Sequence, residues 1–294
     1  MEPNTVRVKH DRKDLEGDDL LDYFGFSTSL SRDGKTVAVG AIQHMGAEGK
    51  QYSGYVKVFT FLNGAWTMLG KKIPGERDGG KFGNSLSISS NGRVLAIGAS
   101  HYTGSSEEQG MVKIYQLRDD WEQVGVSIEG EPTSKSGTSI SLSGDGMTVA
   151  IGSPSHDQER GHSRVFRYRE GHWRKVGQDV TGESEEDGAG VSVSLSGDGA
   201  TLVLGTHQPQ KTGHVQVLRY DYDTDRWLLV GNVIVGHGLS EHFGSSVSVS
   251  NDGTRVAISA PFARNGEYTQ AGVVTIYDVK EGNVSTDSIR LQQR

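Results

Sequence analysis

The sequence predicts an all-β fold, a β-propeller of four-stranded antiparallel blades, and three observations support this prediction. A Gly-x-Ser-x-Ser-x-Ser segment occurs five times, starting at Gly25, Gly83, Gly137, Gly190 and Gly244, at intervals of 53 to 58 residues. A tryptophan followed closely by an apolar-Gly pair has the same period, at Trp66, Trp121, Trp173 and Trp227. No segment shows helical periodicity, and four strand patterns in each repeat are typical of a propeller blade.

Each repeat begins with a strand in which serine alternates with other residues, as at Ser27, Ser29 and Ser31. Because the innermost strands crowd around the axis of a propeller, we interpret these serines as small packing residues whose hydroxyls bond nearby backbone. A turn such as Asp33-Gly34 follows and supplies the positive φ angles of a tight hairpin. An apolar second strand, a variable loop, a third strand and the tryptophan strand complete the repeat. We interpret the tryptophans as packing between blades, with a sugar-stacking platform as the alternative.

The repeats divide one predicted domain, 1–294, at about 18–76, 77–130, 131–182, 183–236 and 237–294. Leu15 precedes Gly25 by ten residues, the spacing that Ile73 has before Gly83, so the N-terminal segment 1–17 is predicted to carry a ring-closing strand. Five blades are therefore the simplest prediction. Six or seven blades would require further chain or a partner, since an open ring leaves unpaired strand edges.

Composition and charge exclude several classes of protein. With 30 Lys and Arg against 37 Asp and Glu, the net charge of −7 argues against a generic binder of nucleic acid or anionic membranes. The absence of Cys excludes disulfides, thiolate zinc sites and a Cys nucleophile. No apolar run is long enough for a transmembrane helix, so we expect no membrane insertion, and the polar N-terminus is no signal peptide.

The repeats resemble those of the FG-GAP repeat β-propellers, the group that includes the integrin α head and many microbial and algal proteins. The resemblance rests on Phe24-Gly25, Phe82-Gly83 and Phe243-Gly244, on pairs such as Gly40-Ala41 and Gly98-Ala99, and on the strand from Gly110 to Tyr115. It covers the chain from about Leu15 to Tyr277 and implies an extracellular or cell-surface location. The family's calcium loop between the first two strands is absent here, because each of these turns offers at most one carboxylate.

The variable loops between second and third strands differ from repeat to repeat, and we expect them to form the functional face. The candidate binding residues in these loops are His44, Tyr52, His101, Tyr102, His156, Asp157, His207, Phe262, Arg264 and Tyr268. The four histidines stand at the starts of their loops, so a metal-binding ring is one hypothesis. The alternative is four separate, solvated side chains.

Carboxylates recur in the loops that lead into three of the blades, at Asp22, Asp187 and Glu241. A ring of these groups near the axis is the candidate for Ca²⁺ or for a basic partner. The alternative is that each caps a local turn by bonding neighbouring backbone. Apart from this candidate we expect no cofactor.

The predicted function is a non-enzymatic interaction module, for adhesion, scaffolding or assembly, that binds a protein partner through the variable loops. A lectin-like glycan-binding propeller is the first alternative, and a carbohydrate-active enzyme on the same scaffold is the second. No Gly-x-Ser-x-Gly elbow and no phosphate-binding Gly loop before a helix occurs, so the sequence carries no catalytic signature.

Overall fold

The computed structural model describes residues 14–43, 53–76, 79–206, 212–264, 266, 268–280 and 283–286. These residues form five antiparallel β-sheets of four or five strands, one for each repeat, in agreement with the predicted all-β propeller. The helical turn α1 (His156–Glu159) is the only helix in the described ranges. None of those ranges contains a helix with the length and apolar character needed to span a membrane.

The strands of the first three sheets follow the repeats closely. Sheet one contains β1 (Phe24–Leu30), β2 (Thr36–Ala41), β3 (Tyr55–Leu62), β4 (Ala65–Met68) and β5 (Ile73–Pro74). Sheet two contains β6 (Ser85–Ile88), β7 (Val94–Ala99), β8 (Met111–Leu117), β9 (Trp121–Gln123) and β10 (Ile128–Glu129). Sheet three contains β11 (Ser139–Leu142), β12 (Thr148–Ser153), β13 (His162–Arg169), β14 (His172–Lys175) and β15 (Val180–Thr181).

The last two sheets repeat this order, except that the fifth has no described counterpart of the short last strand. Sheet four contains β16 (Ser192–Leu195), β17 (Thr201–Gly205), β18 (His214–Asp221), β19 (Arg226–Leu229) and β20 (Ile234–Val235). Sheet five contains β21 (Val247–Val249), β22 (Arg255–Ala260), β23 (Val273–Lys280) and β24 (Asn283–Thr286). Residues 14–17 belong to no strand, and the rest of the predicted ring-closing segment lies outside the described residues.

The alternating serines join neighbouring sheets. In sheets one to four, the first serine donates its hydroxyl to the backbone carbonyl of the repeat glycine in the next sheet, as from Ser139 Oγ to the Gly190 carbonyl at 2.7 Å. In the same four sheets, the second serine accepts a backbone N–H from the next sheet, as Ser141 Oγ does from Leu195 at 2.9 Å. The third serine stays within its own sheet and bonds the Asp or Asn of the turn. The serines therefore hold the backbone together, as the sequence predicts.

The tryptophans also join sheets, which agrees with their interpretation as packing residues. Trp121, Trp173 and Trp227 each donate the indole N–H to a backbone carbonyl of the preceding sheet, at 2.8, 2.8 and 3.2 Å. Trp227 and Trp121 are buried. Their rings cover the Gly residue that follows the accepting carbonyl, as Trp227 covers Gly177.

A glycine in the second strand sets how closely neighbouring sheets approach. A Cβ added at Gly152 would lie 2.0 Å from the carbonyl oxygen of Gly190 in the next sheet, closer than any real contact. The equivalent residues Gly40, Gly98 and Gly205 would place a Cβ 2.3, 2.4 and 2.1 Å from the corresponding oxygen. Ser259 occupies this position in sheet five. Its side chain prevents sheet five from meeting a neighbour in the geometry that the other sheets use.

We call the boundary between sheets five and one the seam. Among the described residues, it lacks the serine, tryptophan and turn hydrogen bonds that join the other neighbouring sheets. The N–H of Gly197 donates to the Asn251 carbonyl, and three similar bonds join the earlier turns, but the Asn251 N–H donates to no residue of sheet one. Leu30 of sheet one is 57% exposed, whereas its counterpart Ile88 in sheet two is 8% exposed. A Cβ at Gly25 would meet nothing within 4 Å. As far as the described residues show, the seam is therefore an open interface.

All five sheets still surround one axial cavity of about 230 Å³ at the end that carries the tight turns. Its aliphatic lining takes one residue from each sheet, namely Leu30, Ile88, Leu142, Leu195 and Val249. Arg32 is the one titratable residue in the lining. Apart from that guanidinium, the lining of this cavity carries no charged side chain.

Candidate functional site on the loop face

Two sets of loops share one face of the propeller, which we call the loop face. The incoming loops lead from the outer strands of one sheet to the first strand of the next, and the variable loops join the second and third strands of each sheet. The opposite end, the turn face, carries the tight turns with the same Ser–Asp bond in four of the sheets. Loops that differ between sheets suit one asymmetric ligand, so the candidate site lies on the loop face.

The carboxylates of the incoming loops bond their own backbone. Asp22 is buried, and its Oδ2 accepts two N–H groups of its own loop at 3.1 and 2.9 Å and the Tyr55 hydroxyl at 2.9 Å. Asp187, also buried, accepts two N–H groups of its loop at 2.7 and 2.9 Å. Asp22, Asp187 and Glu241 form no cluster of metal-bridging size within the described chain. The structure thus shows local turn bonds at Asp22 and Asp187, the alternative to the carboxylate ring.

The histidines predicted at the loop starts have separate surroundings where the structure describes them. His101 Nε2 lies 3.2 Å from Lys81 Nζ, and its Nδ1 lies 3.0 Å from Ser100 Oγ. Burial, together with the Lys81 charge, holds the pKa of His101 below its usual value. His101 and His156 belong to no common cluster of metal-ligating side chains in the described ranges. His44 and His207, like Tyr52, lie outside the described residues.

His156 lies beside two residues that the sequence analysis does not single out. Its ring centroid is 4.3 Å from that of His162, and Glu131 Oε2 of the incoming loop is 3.8 Å from His162 Nε2. His162 is only 1% exposed, and neither of its ring nitrogens has a hydrogen-bond partner, nor has Glu131 Oε2. Burial, reinforced by the neighbouring cation of Arg164, lowers the pKa of His162, so the ring is neutral at neutral pH.

The turn that carries His156 has an unusual backbone. Asp157, Gln158 and Glu159 have φ angles of 48°, 55° and 61°, which lie in the left-handed region. That region costs non-glycine residues about 1–2 kcal/mol each. The Gly161 N–H donates to the His156 carbonyl at 2.9 Å and closes the turn immediately before β13. This turn places His156 against His162, the first residue of β13.

Arg164 lies next to this cluster and connects it to Asp179. Its guanidinium forms ion pairs with Glu131 Oε1 and with Asp179 Oδ2, the latter at 2.8 Å. Lys175 Nζ lies 2.7 Å from the other oxygen of Asp179. Burial alone would raise the pKa of Asp179, but hydrogen bonds from Arg164 and Lys175 outweigh burial and hold the pKa at about 2.

We expect Asp179→Asn to weaken the protein at neutral pH but not at pH 2. The folded-state pKa of Asp179 is below its unfolded value, so its contribution is full above about pH 4 and is lost as the pH falls through 2. After discounting for partial exposure, we expect a loss of about 1 kcal/mol in the free energy of unfolding at pH 7. Denaturant unfolding at pH 7, 4 and 2 measures this loss, with the exposed Asp119→Asn as control. A difference that is constant over this pH range would contradict the prediction.

Exposed apolar side chains are concentrated in the loops of sheets one and five. Leu20 and Leu21 lie in the incoming loop of sheet one, and Leu239 lies in that of sheet five, with 74% of its surface exposed. Tyr268, in the variable loop of sheet five, is 76% exposed. Such residues are normally shielded when they occur together, so this part of the loop face fits contact with another molecule.

The remaining predicted binding residues fall into two groups. Phe262 and Arg264 are exposed in the loop that carries Tyr268, and the Phe262 ring packs edge-on against His242 at 4.8 Å. Tyr102 and Asp157 lie in the variable loops of sheets two and three. The structure therefore brings Phe262, Arg264 and Tyr268 together in one loop and leaves Tyr102 and Asp157 in other sheets.

Comparisons with solved structures agree on the fold. The chain is similar to hydrazine synthase of Kuenenia stuttgartiensis, with 16% identity and a TM-score of 0.58 over 93% of this chain and 69% of that one. It is also similar to putative 6-phosphogluconolactonases of Bacteroides fragilis (15% identity, TM-score 0.55, 90% and 83% covered) and Bacteroides uniformis (11%, 0.53, 90% and 84%). At these identities the similarity shows the propeller fold alone.

Comparison of the sequence with family models gives no match, and comparison with curated proteins gives none either. The resemblance to FG-GAP repeat propellers, and the surface location that it implies, therefore stay predictions. The function has to be inferred from the loop face itself.

Proposed function

We propose that this protein is a non-enzymatic propeller that binds a protein partner through its loop face. The observation that carries the proposal is the group of exposed apolar side chains in the loops of sheets one and five, above all Leu20, Leu239 and Tyr268. These loops belong to the two sheets that meet at the seam, so one partner that binds across the seam could cover apolar side chains of both sheets. The turn face presents one repeated hairpin motif and offers less to distinguish one partner from another.

The acidic charge of the loop face favours a partner that carries basic residues. Three exposed glutamates, Glu183, Glu185 and Glu186, lie within four residues of the incoming loop of sheet four. A partner with apolar anchors and basic residues around them would complement this surface, because rim charges mainly steer association and select partners. The FG-GAP resemblance, with its adhesion proteins, also favours a protein ligand.

A glycan is the second candidate, because one loop combines the features that sugar binding needs. Tyr268, Phe262 and Arg264 are all exposed in the variable loop of sheet five. An exposed aromatic ring can stack on the apolar face of a sugar, and a guanidinium can bond its hydroxyls. Glycan-array binding that depends on Tyr268 would favour this candidate over the protein partner.

Two exposed tyrosines on opposite faces allow a matched test. Tyr268 lies on the loop face and is 76% exposed, whereas Tyr222 lies in the β18–β19 turn on the turn face and is 62% exposed. We expect Tyr268→Asp combined with Leu239→Asp to weaken partner binding about tenfold or more, since buried aromatic anchors dominate interfaces. We expect Tyr222→Asp to leave binding unchanged.

The measurement is affinity capture with immobilised protein from its source cells, followed by titration of the captured protein against wild type and both variants. Circular dichroism establishes that the variants are folded. Capture that survives the loop-face changes but is lost with Tyr222→Asp would contradict the proposed face. Absence of any captured protein that is sensitive to the loop-face changes would contradict the proposed function.

A further inference from the structure

The buried cluster on sheet three contains polar atoms that no group among the described residues satisfies. His162 has two ring nitrogens without hydrogen-bond partners, and Glu131 Oε2 also has none. Leaving such groups buried and unpaired is costly, and most buried polar atoms in proteins are paired. Since His162 is 1% exposed, bulk water does not replace the missing partners. A neutral imidazole offers one nitrogen lone pair and an ionised carboxylate oxygen offers others, so a bound cation could satisfy one ring nitrogen of His162 together with Glu131 Oε2.

Ligand atoms of three side chains lie close together at this point. One ligand atom each from Glu131, His156 and His162 lies within 4.8 Å of the other two. Ligand atoms around a tetrahedral ion with bonds of about 2.1 Å lie roughly 3.4 Å apart. The 3.8 Å between His162 Nε2 and Glu131 Oε2 is close to that value, and since all three ligand atoms lie within 4.8 Å, an ion would draw them together by side-chain rotation.

The neighbouring charges position the carboxylate and leave one oxygen available. Arg164 pairs with Glu131 Oε1, and its own charge is also balanced by Asp179. Oε2, the oxygen that faces His162, stays without a hydrogen-bond partner. A residue that bonds the second oxygen of a metal-binding carboxylate in this way commonly orients that carboxylate and tunes its affinity for the metal.

We propose that Glu131, His156 and His162 form a binding site for a divalent transition metal ion, with Zn²⁺ as the best fit. Two imidazoles and one carboxylate are the ligands that Zn²⁺ and its neighbours prefer, whereas Ca²⁺ requires six or more oxygens. His156 and Glu131 are half-buried, so a fourth position is open to water or to a ligand from a partner. The ion would connect an incoming loop, a variable loop and a third strand of one sheet.

The site is independent of the proposed protein partner and can be tested on the isolated chain. The test is isothermal titration of the untagged, EDTA-treated protein with ZnCl₂, together with its thermal midpoint with and without Zn²⁺. We expect one Zn²⁺ per chain and a higher thermal midpoint, because a ligand that binds only the folded state stabilises it. Loading with Co²⁺ would add visible absorption bands of a four-coordinate ion.

Three variants assign the bound ion to these residues. We expect His156→Gln and Glu131→Gln each to weaken Zn²⁺ binding at least about tenfold, since even partners beyond the ligands themselves contribute that much. Both residues are half-buried, so the variants should fold even if changes at buried His162 do not. His172, exposed on β14, provides the control variant His172→Gln, which should bind as the wild type does. Absence of stoichiometric binding, or binding unaffected by both cluster variants, would overturn the proposal.

Discussion

Replacing Gly152 by Ala is expected to lower the free energy of unfolding by about 3 kcal/mol and the thermal midpoint by about 6 °C or more. The added Cβ would lie 2.0 Å from the Gly190 carbonyl oxygen and 2.4 Å from Ser139 Oγ. The oxygen belongs to the backbone of the next sheet and cannot rotate away. The two sheets must therefore separate, which also strains the bond between Ser139 Oγ and that carbonyl.

Ser259→Ala is the matched control, because it places the same side chain at the equivalent position of sheet five. Ser259 Oγ lies 3.0 Å from the Ser246 N–H and 3.2 Å from Ser245 Oγ, so its loss removes only weak local bonds. We expect a change of about 1 kcal/mol or less in the free energy of unfolding. Equal losses in the two variants, measured by calorimetry, would contradict the explanation that the loss at Gly152 comes from the contact of the new Cβ with the Gly190 oxygen.

Trp227→Ala is expected to lower the free energy of unfolding by about 3–5 kcal/mol, the usual range for a buried tryptophan. Trp227 is 2% exposed, its indole N–H donates to the Val176 carbonyl, and its backbone is bonded by Gln178. Truncation leaves a cavity between sheets three and four and an unpaired carbonyl.

Trp66→Ala provides the comparison, because Trp66 holds the same position in sheet one, next to the seam. It is half-buried, packs on Phe61 with ring centroids 5.3 Å apart, and its indole N–H has no partner among the described residues. We expect Trp66→Ala to lower the free energy of unfolding by about 2 kcal/mol less than Trp227→Ala does. Denaturant unfolding is monitored by far-UV circular dichroism, because the loss of a tryptophan itself changes the fluorescence of the protein. Similar losses would indicate that the seam is packed like the other boundaries.

Most of the fold is predictable from the sequence because three independent features of the repeat all indicate the same four-stranded blade. The serine period places the first strand, the Asp-Gly pair places the turn, and the tryptophan places the outer strand. The replacement of Gly40, Gly98, Gly152 and Gly205 by Ser259 in the fifth repeat is also visible in the sequence. Its meaning appears only when the distance to the next sheet is known.

The candidate site was less predictable. His156 is identifiable from its loop, but Glu131 lies 25 residues earlier and His162 opens the next strand. The left-handed φ angles of Asp157, Gln158 and Glu159 bring His156 to His162, and although Asp tolerates this region, Gln and Glu give no sign of three such residues in a row. Aligning the third strands would have indicated His162 as buried, since Tyr55 and His214 hold the same position and are buried as well.

Hydrogen exchange of the complex with the captured partner tests most directly whether the loop face is the working surface. We expect slower exchange on binding in the incoming loops of sheets one and five, around Leu20, Leu21 and Leu239. The tight turns, such as Asp145-Gly146, should exchange at the rate of the free protein. Protection confined to the turn face, with the incoming loops unchanged, would contradict the proposed function.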